Sequence, residues 1–298
     1  MINSLSGFLN INKPQGITSH DVVAQVRRGL KQRGMGKVKV GHAGTLDPMA
    51  TGVLIVCLGA ATRLSDDVMH GEKKYRAILK FGETTDTYDA EGQITQTRDA
   101  SSLTRDQIEA ALPAFRGDIL QVPPMYSAIK QGGKKLYDLA RQGQTVEREP
   151  RAVTIRALEI AAWDAPFLVF NVTCSAGTYI RSLAYDLGEV LNIGAHLTGL
   201  IRTGSGAFMI ENAVTLDTLP DTPDWSSLLT PTQTALPHLL TIAITLEQAR
   251  ELRFGRALPY DGNDIERGVA ILPDGELVAV LKRLENMWQP EKVFPAEA

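Results

Sequence analysis

Gly41-His42-Ala43-Gly44-Thr45-Leu46-Asp47-Pro48-Met49-Ala50-Thr51-Gly52 is the stretch from which the rest of the chain can be read. Three glycines, an Asp-Pro step and a histidine within twelve residues make a tight, backbone-rich loop. It feeds directly into residues 53–58, an unbroken apolar run that reads as a buried strand. A carboxylate at such a junction can be held rigidly and partly desolvated, which suits acid–base or nucleophilic work. The same residues also fit a plain turn in which Asp47 bonds its own backbone.

Outward from the loop, strands and helices follow in mixed order. Residues 8–12 read as a strand closed by Lys13-Pro14-Gln15-Gly16, and Ser19 reads as the N-cap of a helix with Val22, Val23, Val26 and Leu30 at helical spacing. Residues 34–52 read as loop and 61–69 as a short helix. Residues 74–81 alternate as a half-buried strand with Tyr75, Ala77, Leu79 and Phe81 on one face. Thr104 with Gln107 predicts a capped helix, 153–161 and 167–174 predict strands, and 178–191 predicts a helix whose apolar stripe leaves Arg181 pointing away. The segment 211–244 has no Lys or Arg and four acidic residues, and reads as a linker or cover. Beyond it, 246–254 predicts a helix, and 269–272 with 277–282 a hairpin across Pro273-Asp274-Gly275.

The 298 residues are 44% apolar and 22% charged, enough to bury the core of one large or two unequal domains and unlike a disordered chain. A formal charge of −3 argues against a histone-like or tail-driven nucleic-acid binder. Charge is uneven, however: residues 1–80 carry 12 basic against 5 acidic residues, net +7. Arg27, Arg28, Lys31, Arg33, Lys37 and Lys39 fall just before the Asp47 loop with no acid among them, as a solvated face or as a track for a phosphate backbone. A second basic stretch, Lys130, Lys134, Lys135 and Arg141, surrounds Gly132-Gly133.

Cys57 and Cys174 lie inside apolar runs and build neither a disulfide framework nor a metal site. The five histidines have no ligand spacing, and Walker, GxGxxG and GxSxG motifs are absent, so the chemistry is read as cofactor-free, metal-free and resting on a carboxylate. A buried carboxylate stays ionised only beside a cation or several donors. Arg181 is the best candidate partner, a surface arginine being the plainer reading. With no signal-like start and no apolar run near the roughly 20 residues of a membrane span, a cytoplasmic protein is expected.

Five blocks carry a resemblance: KPQGITSHD at 13–21, GHAGTLDPMATGVLIVCLGAATR at 41–63, YRAILKFGETTDTYDAEG at 75–92, VPPMYSAIK at 122–130 and CSAGTYIRSLAYDLG at 174–188. In order and spacing they resemble the bacterial tRNA pseudouridine-55 synthases, the TruB family, over nearly all of 7–210. The C-terminal part resembles that family's small PUA-like domain more weakly, through VAILPDGELVAVLKR at 269–283.

The resemblance implies an α+β pseudouridine synthase fold with a mixed, largely antiparallel central sheet flanked by helices and loops. It implies a catalytic domain over 1–240, with a T-loop-binding insertion near 122–150, and a β-rich PUA-like RNA-binding domain over 241–298. The activity implied is isomerisation of uridine-55 in the T-loop of tRNA, by a stand-alone monomer needing no cofactor, membrane or protein partner. Asp47 matches the catalytic aspartate, acting by covalent attack or by stabilising cationic character at C1′. Arg181 matches the arginine that pairs with it and holds it ionised, and Tyr75 the catalytic tyrosine that packs on the target base and is a candidate for the proton transfer. His42 matches a histidine inserted into the RNA, and Tyr179 and Leu200 match residues lining the base pocket. Lys13, Arg27, Arg28, Lys31, Arg63 and Lys130 are the backbone-binding candidates, Arg63 standing where a lysine is common. An RNA-binding or folding-assistant protein is the competing reading, and a guide-RNA-dependent synthase a third; the intact Asp47, Tyr75 and Arg181 set and the insertion speak against them.

Overall fold

The structure, a computed structural model, describes residues 5–127, 129–260, 265–294 and 296, with the side chains at 130, 135, 141, 232 and 233 outside that set. In chain order β1 (Gly7–Lys13), α1 (Ser19–Gln32), β2 (Val40–Ala43), β3 (Thr51–Leu58), α2 (Ser65–Met69) and β4 (Lys73–Phe81) come first. Then follow α3 (Arg105–Ala111), β5 (Gly117–Gln121), β6 (Arg151–Asp164), β7 (Phe167–Cys174), α4 (Ile180–Val190) and β8 (Ala195–Ser205). The main sheet runs β1, β3, β8, β4, β7, β6, β5. It is mixed and largely antiparallel: β8 pairs parallel with β3, and the other pairs in that row are antiparallel. The expected α+β class is therefore borne out.

Local chemistry explains the elements. Residues 53–58 are almost wholly buried because β3 is covered on both faces, so it reads as a continuous apolar run instead of an alternating one. Helix α1 buries Val22, Val23, Val26 and Leu30 as the spacing predicts, but its N-cap is Thr18. Thr18 and Asp21 form a reciprocal capping box, which frees Ser19 to turn inward. Part of the expected loop, Val40–Ala43, is instead a strand paired with β3.

The 211–244 segment covers the sheet edge, yet it is more than a cover. Val214–Thr215 and Leu229–Thr230 pair with β1, and Trp225 is 2% exposed within the core. Arg33 fastens this segment by donating to the carbonyls of Leu219, Pro220 and Thr222, with its guanidinium 4.8 Å from the Trp225 ring centre.

A second sheet follows from β9 (Leu240–Ala243), α5 (Leu246–Arg253), β10 (Leu258–Pro259), β11 (Arg267–Ile271), β12 (Leu277–Leu284) and β13 (Met287–Val293), in the order β9, β11, β12, β13, β10. Strand β9 lies inside the stretch read as linker, because its short apolar run pairs with β11, far ahead in sequence. Phe8, Val53, Ile55 and Cys57 share one apolar cluster with Val269, Ile271, Val280 and Phe294, so the two sheets pack on a common core. Both cysteines are free and buried, and burial pushes the Cys57 thiol up to about 12.

Asp67, 4% exposed on α2, bolts the sheets together with Arg267 at 2.8 Å and Lys292 at 2.7 Å. Burial alone raises its pKa, but hydrogen bonds from Lys292 and Arg267 outweigh that and hold it below the ordinary value. A depressed folded-state pKa stabilises above the unfolded value near 3.8 and is lost as pH falls through the folded one. Asp67→Asn is expected to cost about 2 kcal/mol at pH 7, below the usual 3–5 for a broken buried pair because both cations are partly solvated. Urea melts at pH 7 and pH 3 check this: the wild-type advantage should shrink at pH 3, and an equal gap at both would refute it.

Candidate active site

The 41–52 loop is tied down from three elements. The Ser19 hydroxyl on α1 donates to the Leu46 carbonyl at 3.0 Å and accepts from the Leu46 N–H at 2.8 Å, clamping the residue before Asp47. From the turn after β1, the Gly16 N–H donates to the Pro48 carbonyl at 2.9 Å, and Lys13 Nζ donates to it at 3.2 Å. From β8, Arg202 donates to the carbonyls of Gly44 at 2.9 Å, Thr45 at 3.3 Å and Val53 at 2.6 Å. Hydrogen bonds from three elements thus satisfy the loop's backbone groups and fix its position. Gly52, at φ +97°, closes it where a Cβ would stand 2.3 Å from the Arg202 carbonyl oxygen. Gly52→Ala is therefore expected to destabilise by about 2 kcal/mol. Thermal melts test this, and a variant as stable as wild type would contradict the close approach.

The Asp47 side chain keeps 36% of its surface open and meets Arg181 Nε at 3.0 Å. Arg181 is 5% exposed: it lies off the apolar stripe, as expected, but it is buried and not the surface arginine of the plainer reading. The apolar stripe of α4 describes the face on the sheet, while Arg181 packs under loops that helical periodicity does not register. Its Nη1 reaches Asp89 at 3.3 Å and the Thr87 carbonyl at 3.4 Å, and Nη2 donates to the Tyr126 carbonyl at 2.9 Å. One guanidinium thus spans two carboxylates. Burial raises the Asp47 pKa above the ordinary carboxylate value; Arg181 opposes the rise, Asp89 adds to it, and Lys13 and Arg202 oppose it.

Of the other named residues, Tyr75 and Tyr179 feel the charge of this pair. Tyr75 on β4 is half-buried with its phenol pKa raised by burial, and it feels both Arg202 and Asp47. Tyr179 is the N-cap of α4, held by Gln121 through both its N–H (2.7 Å) and its carbonyl (2.9 Å). Its phenol pKa is likewise raised by burial, and Arg181 and Asp47 act on it. Leu200 is buried on β8 opposite Ala77. His42 lies near the end of β2, half-buried, its Nδ1 lacks a hydrogen-bond partner, and burial lowers its pKa.

The backbone-binding candidates divide. Lys13 is fully buried, its ammonium donating to the carbonyls of Pro14, Ile17 and Pro48, and burial brings its pKa to about 8. It is a fastener of the loop and not a surface phosphate contact: the Pro14–Gly16 turn is exposed, but the Lys13 side chain at the end of β1 turns inward. Arg27, Arg28 and Lys31 are exposed on α1, Arg27 donating to the Val40 carbonyl. Arg63 is exposed but engaged with the Val293 carbonyl and the Phe294 ring. The Lys130 side chain lies outside the described residues.

Residues 28–180 match the model of the TruB family pseudouridylate synthase N-terminal domain, 181–237 that of a tRNA pseudouridylate synthase B C-terminal domain, and 241–295 that of a tRNA pseudouridine synthase II C-terminal domain. The chain belongs to the TruB family of pseudouridylate synthases. A family relative, tRNA pseudouridine synthase B of Burkholderia lata, is 44% identical over 99% of this chain and 92% of its own. The protein of the same name from Heliobacterium modesticaldum is 44% identical over 97% and 96%. Among solved structures, one of a Cbf5-Nop10-Gar1 complex superposes with a TM-score of 0.76 at 27% identity, covering 99% of this chain and 86% of that one. The expected family, the isomerase class and the pseudouridine synthase fold are borne out.

Sequence reasoning does not single out three residues of this TruB-family site. Asp89 sits in the Thr85–Gly92 turn after β4, its carboxylate also accepting from Thr87 Oγ1 at 2.6 Å and the Glu91 N–H at 3.0 Å. Ser19 reads as a cap and not as a clamp. Arg202 stands alone as a charge in the apolar middle of β8, and that isolation is its one available signal. Among the described residues no group of three or more His, Cys, Asp or Glu could hold a metal ion, and no helix is long and apolar enough to cross a membrane.

Proposed function

We propose that this chain converts uridine-55 in the T-loop of tRNA to pseudouridine. The supporting observation is the Asp47 carboxylate, held 3.0 Å from the buried Arg181 on a fastened loop, with the Tyr75 and Tyr179 phenols within reach of its charge. The N1–C1′ bond breaks, the uracil turns, C5 bonds to C1′, the proton leaves C5 and N1 gains one. The balance is redox-neutral and needs neither water nor a cofactor. A hydrolase pairs two carboxylates to activate water; here the base is retained, and one anionic group facing C1′ suffices, whether it attacks or stabilises positive charge.

A stacked uridine must first be flipped out, at a cost of a few kcal/mol. The half-buried Tyr75 and Tyr179 offer aromatic faces for the extruded base, and the half-buried His42 on β2 is the residue proposed to enter the RNA. Residues 1–240 act as the catalytic domain, with 122–150 closing on the T-loop. Residues 241–298 serve as a PUA-like RNA-binding domain, and the enzyme works as a cytoplasmic monomer without an obligate protein partner. Both relatives named above are called tRNA pseudouridine synthase B, which supports a tRNA substrate. Pseudouridine has the mass of uridine, so mass-spectrometric mapping of an unmodified tRNA transcript after incubation and pseudouridine-selective carbodiimide labelling tests the reading. Pseudouridine at position 55 alone is expected; modification elsewhere, or none, would refute it.

The exposed trio on α1 carries a separate expectation. Replacing Arg27, Arg28 and Lys31 by Ala together should flatten the salt dependence of RNA binding, the log–log slope falling by about 0.7–0.9 for each phosphate that is no longer neutralised. Filter binding across a salt series reads the slope, and an unchanged slope would make these residues a solvated face only.

A further inference from the structure

Arg202 is 1% exposed, among the most deeply buried charges in the chain, yet the bonds it makes go to carbonyl oxygens and not to a carboxylate. A guanidinium carries five N–H donors in a fixed fork. Three are spent on the carbonyls of Gly44, Thr45 and Val53, which flank Asp47 on both sides along the loop. Sheet register explains its reach. Strand β8 lies between β3 and β4, with Arg202 opposite Gly52 on one side and opposite Tyr75 on the other. The side chains of directly opposed residues share a face, so Arg202 and Tyr75 emerge side by side from the sheet, while Gly52 leaves room for the backbone of β8.

We propose that Arg202 is a positioning residue that couples the two halves of the site: its fork fixes the loop presenting Asp47, and its remaining donors face the Tyr75 phenol oxygen. This rests on the reading of Asp47 as the catalytic carboxylate. The cation also bears on the protonation of the site. It opposes the rise of the Asp47 pKa together with Arg181 and Lys13, against Asp89, and it opposes the rise at Tyr75. Glu91, Tyr75 and Tyr179 are the further titratable groups on which the Asp47 charge acts. Lysine at 202 would keep the charge but lose the planar fork, whereas glutamine would lose both the charge and part of the fork.

The test compares Arg202→Lys and Arg202→Gln with wild type and Asp47→Asn, reading single-turnover rate on tRNA, tRNA affinity and the rate as a function of pH. Hydrogen exchange over residues 42–52 and over β7 is measured on the same proteins. Arg202→Lys is expected to lose about 10–100-fold in rate with affinity within about threefold, to exchange faster over 42–52 only, and to keep the wild-type acid limb. Arg202→Gln should lose more and shift that limb to higher pH, because a cation that favours ionised Asp47 is gone. Should the glutamine variant not fold, the lysine variant alone decides through rate and local exchange. A lysine variant at wild-type rate would overturn the proposal. So would loosening over β7 together with an affinity loss matching the rate loss, since that is a merely structural role. If Asp47→Asn retained wild-type turnover, the reading of Asp47 would fail instead, and the two failures are distinguishable.

Discussion

Asp47→Asn is expected to lower the single-turnover rate by about 10⁴-fold or more, with tRNA affinity within about threefold of wild type. Asparagine fills the same space and can keep a hydrogen bond from Arg181, so the loop fastened by Ser19, Gly16, Lys13 and Arg202 should hold its form. What disappears is the negative charge that, in the proposed mechanism, faces C1′ as the glycosidic bond breaks. The exposed basic residues on α1 proposed to meet RNA are untouched, which is why binding should survive. The acid limb of the wild-type rate profile follows from the same group. Burial raises the Asp47 pKa, so protonation silences the enzyme at a pH above the ordinary carboxylate value, and activity rises as pH rises through it. A limb at or below that ordinary value would show Asp47 to be less desolvated than its surroundings imply.

Arg181→Ala is expected to reduce turnover by about 10²–10³-fold while tRNA affinity changes little. Removing one partner from a buried pair commonly costs 3–5 kcal/mol, and about 1.4 kcal/mol corresponds to tenfold. The loss has a definite mechanism here. Arg181 stands between Asp47 at 3.0 Å and Asp89 at 3.3 Å, so without it two carboxylates repel across a void and Asp47 holds its proton to higher pH. The acid limb should therefore move up along with the fall in maximal rate. Arg181→Lys should recover part of the pH shift but not the rate, because an ammonium cannot bridge both carboxylates and the Tyr126 and Thr87 carbonyls at once. Equal losses in rate and affinity would assign Arg181 to the RNA instead.

Local chemistry is legible in the sequence where it acts over short spans. The alternation of 74–81, the capping box at Thr104 and Gln107, the hairpin around Pro273-Asp274-Gly275 and the stripe of α1 all become the elements they predict. What stays hidden depends on tertiary partners. Arg181 looks exposed on a helical wheel because the turn bearing Asp89 lies about ninety positions away and packs over its polar side. Lys13 looks like a surface lysine beside a proline-glycine turn, yet its side chain turns inward beneath the exposed turn and three carbonyls satisfy its ammonium. Ser19 has the residue type and place of an N-cap, but Thr18 can close a capping box with Asp21 and Ser19 cannot. Residues 240–243 carry too short a pattern to declare a strand until β11 arrives to pair with them. The Asp47 loop is recognisable from its own composition; its rigidity comes from α1, the β1 turn and β8.

The segmental charge takes on a clearer meaning from these placements. Of the basic residues before the loop, Arg33 is consumed in fastening the 219–222 turn, whereas Arg27, Arg28 and Lys31 remain exposed on α1. The surplus of positive charge in residues 1–80 therefore serves two purposes. Lys13 and Arg33 organise the fold from within, and the α1 trio stays exposed, in line with the proposed contact to an RNA backbone.

Release of tritium from tRNA labelled at uracil C5 follows the C5 proton and so reports the isomerisation itself. Wild type and Asp47→Asn should be compared under single turnover, with filter binding on the same samples. The expected result is release from the wild-type reaction matching the tRNA present, and none above background from a variant that binds tRNA equally well. Release by the variant at the wild-type rate, or no release by wild type, would contradict the assignment of Asp47 as the carboxylate that drives the reaction.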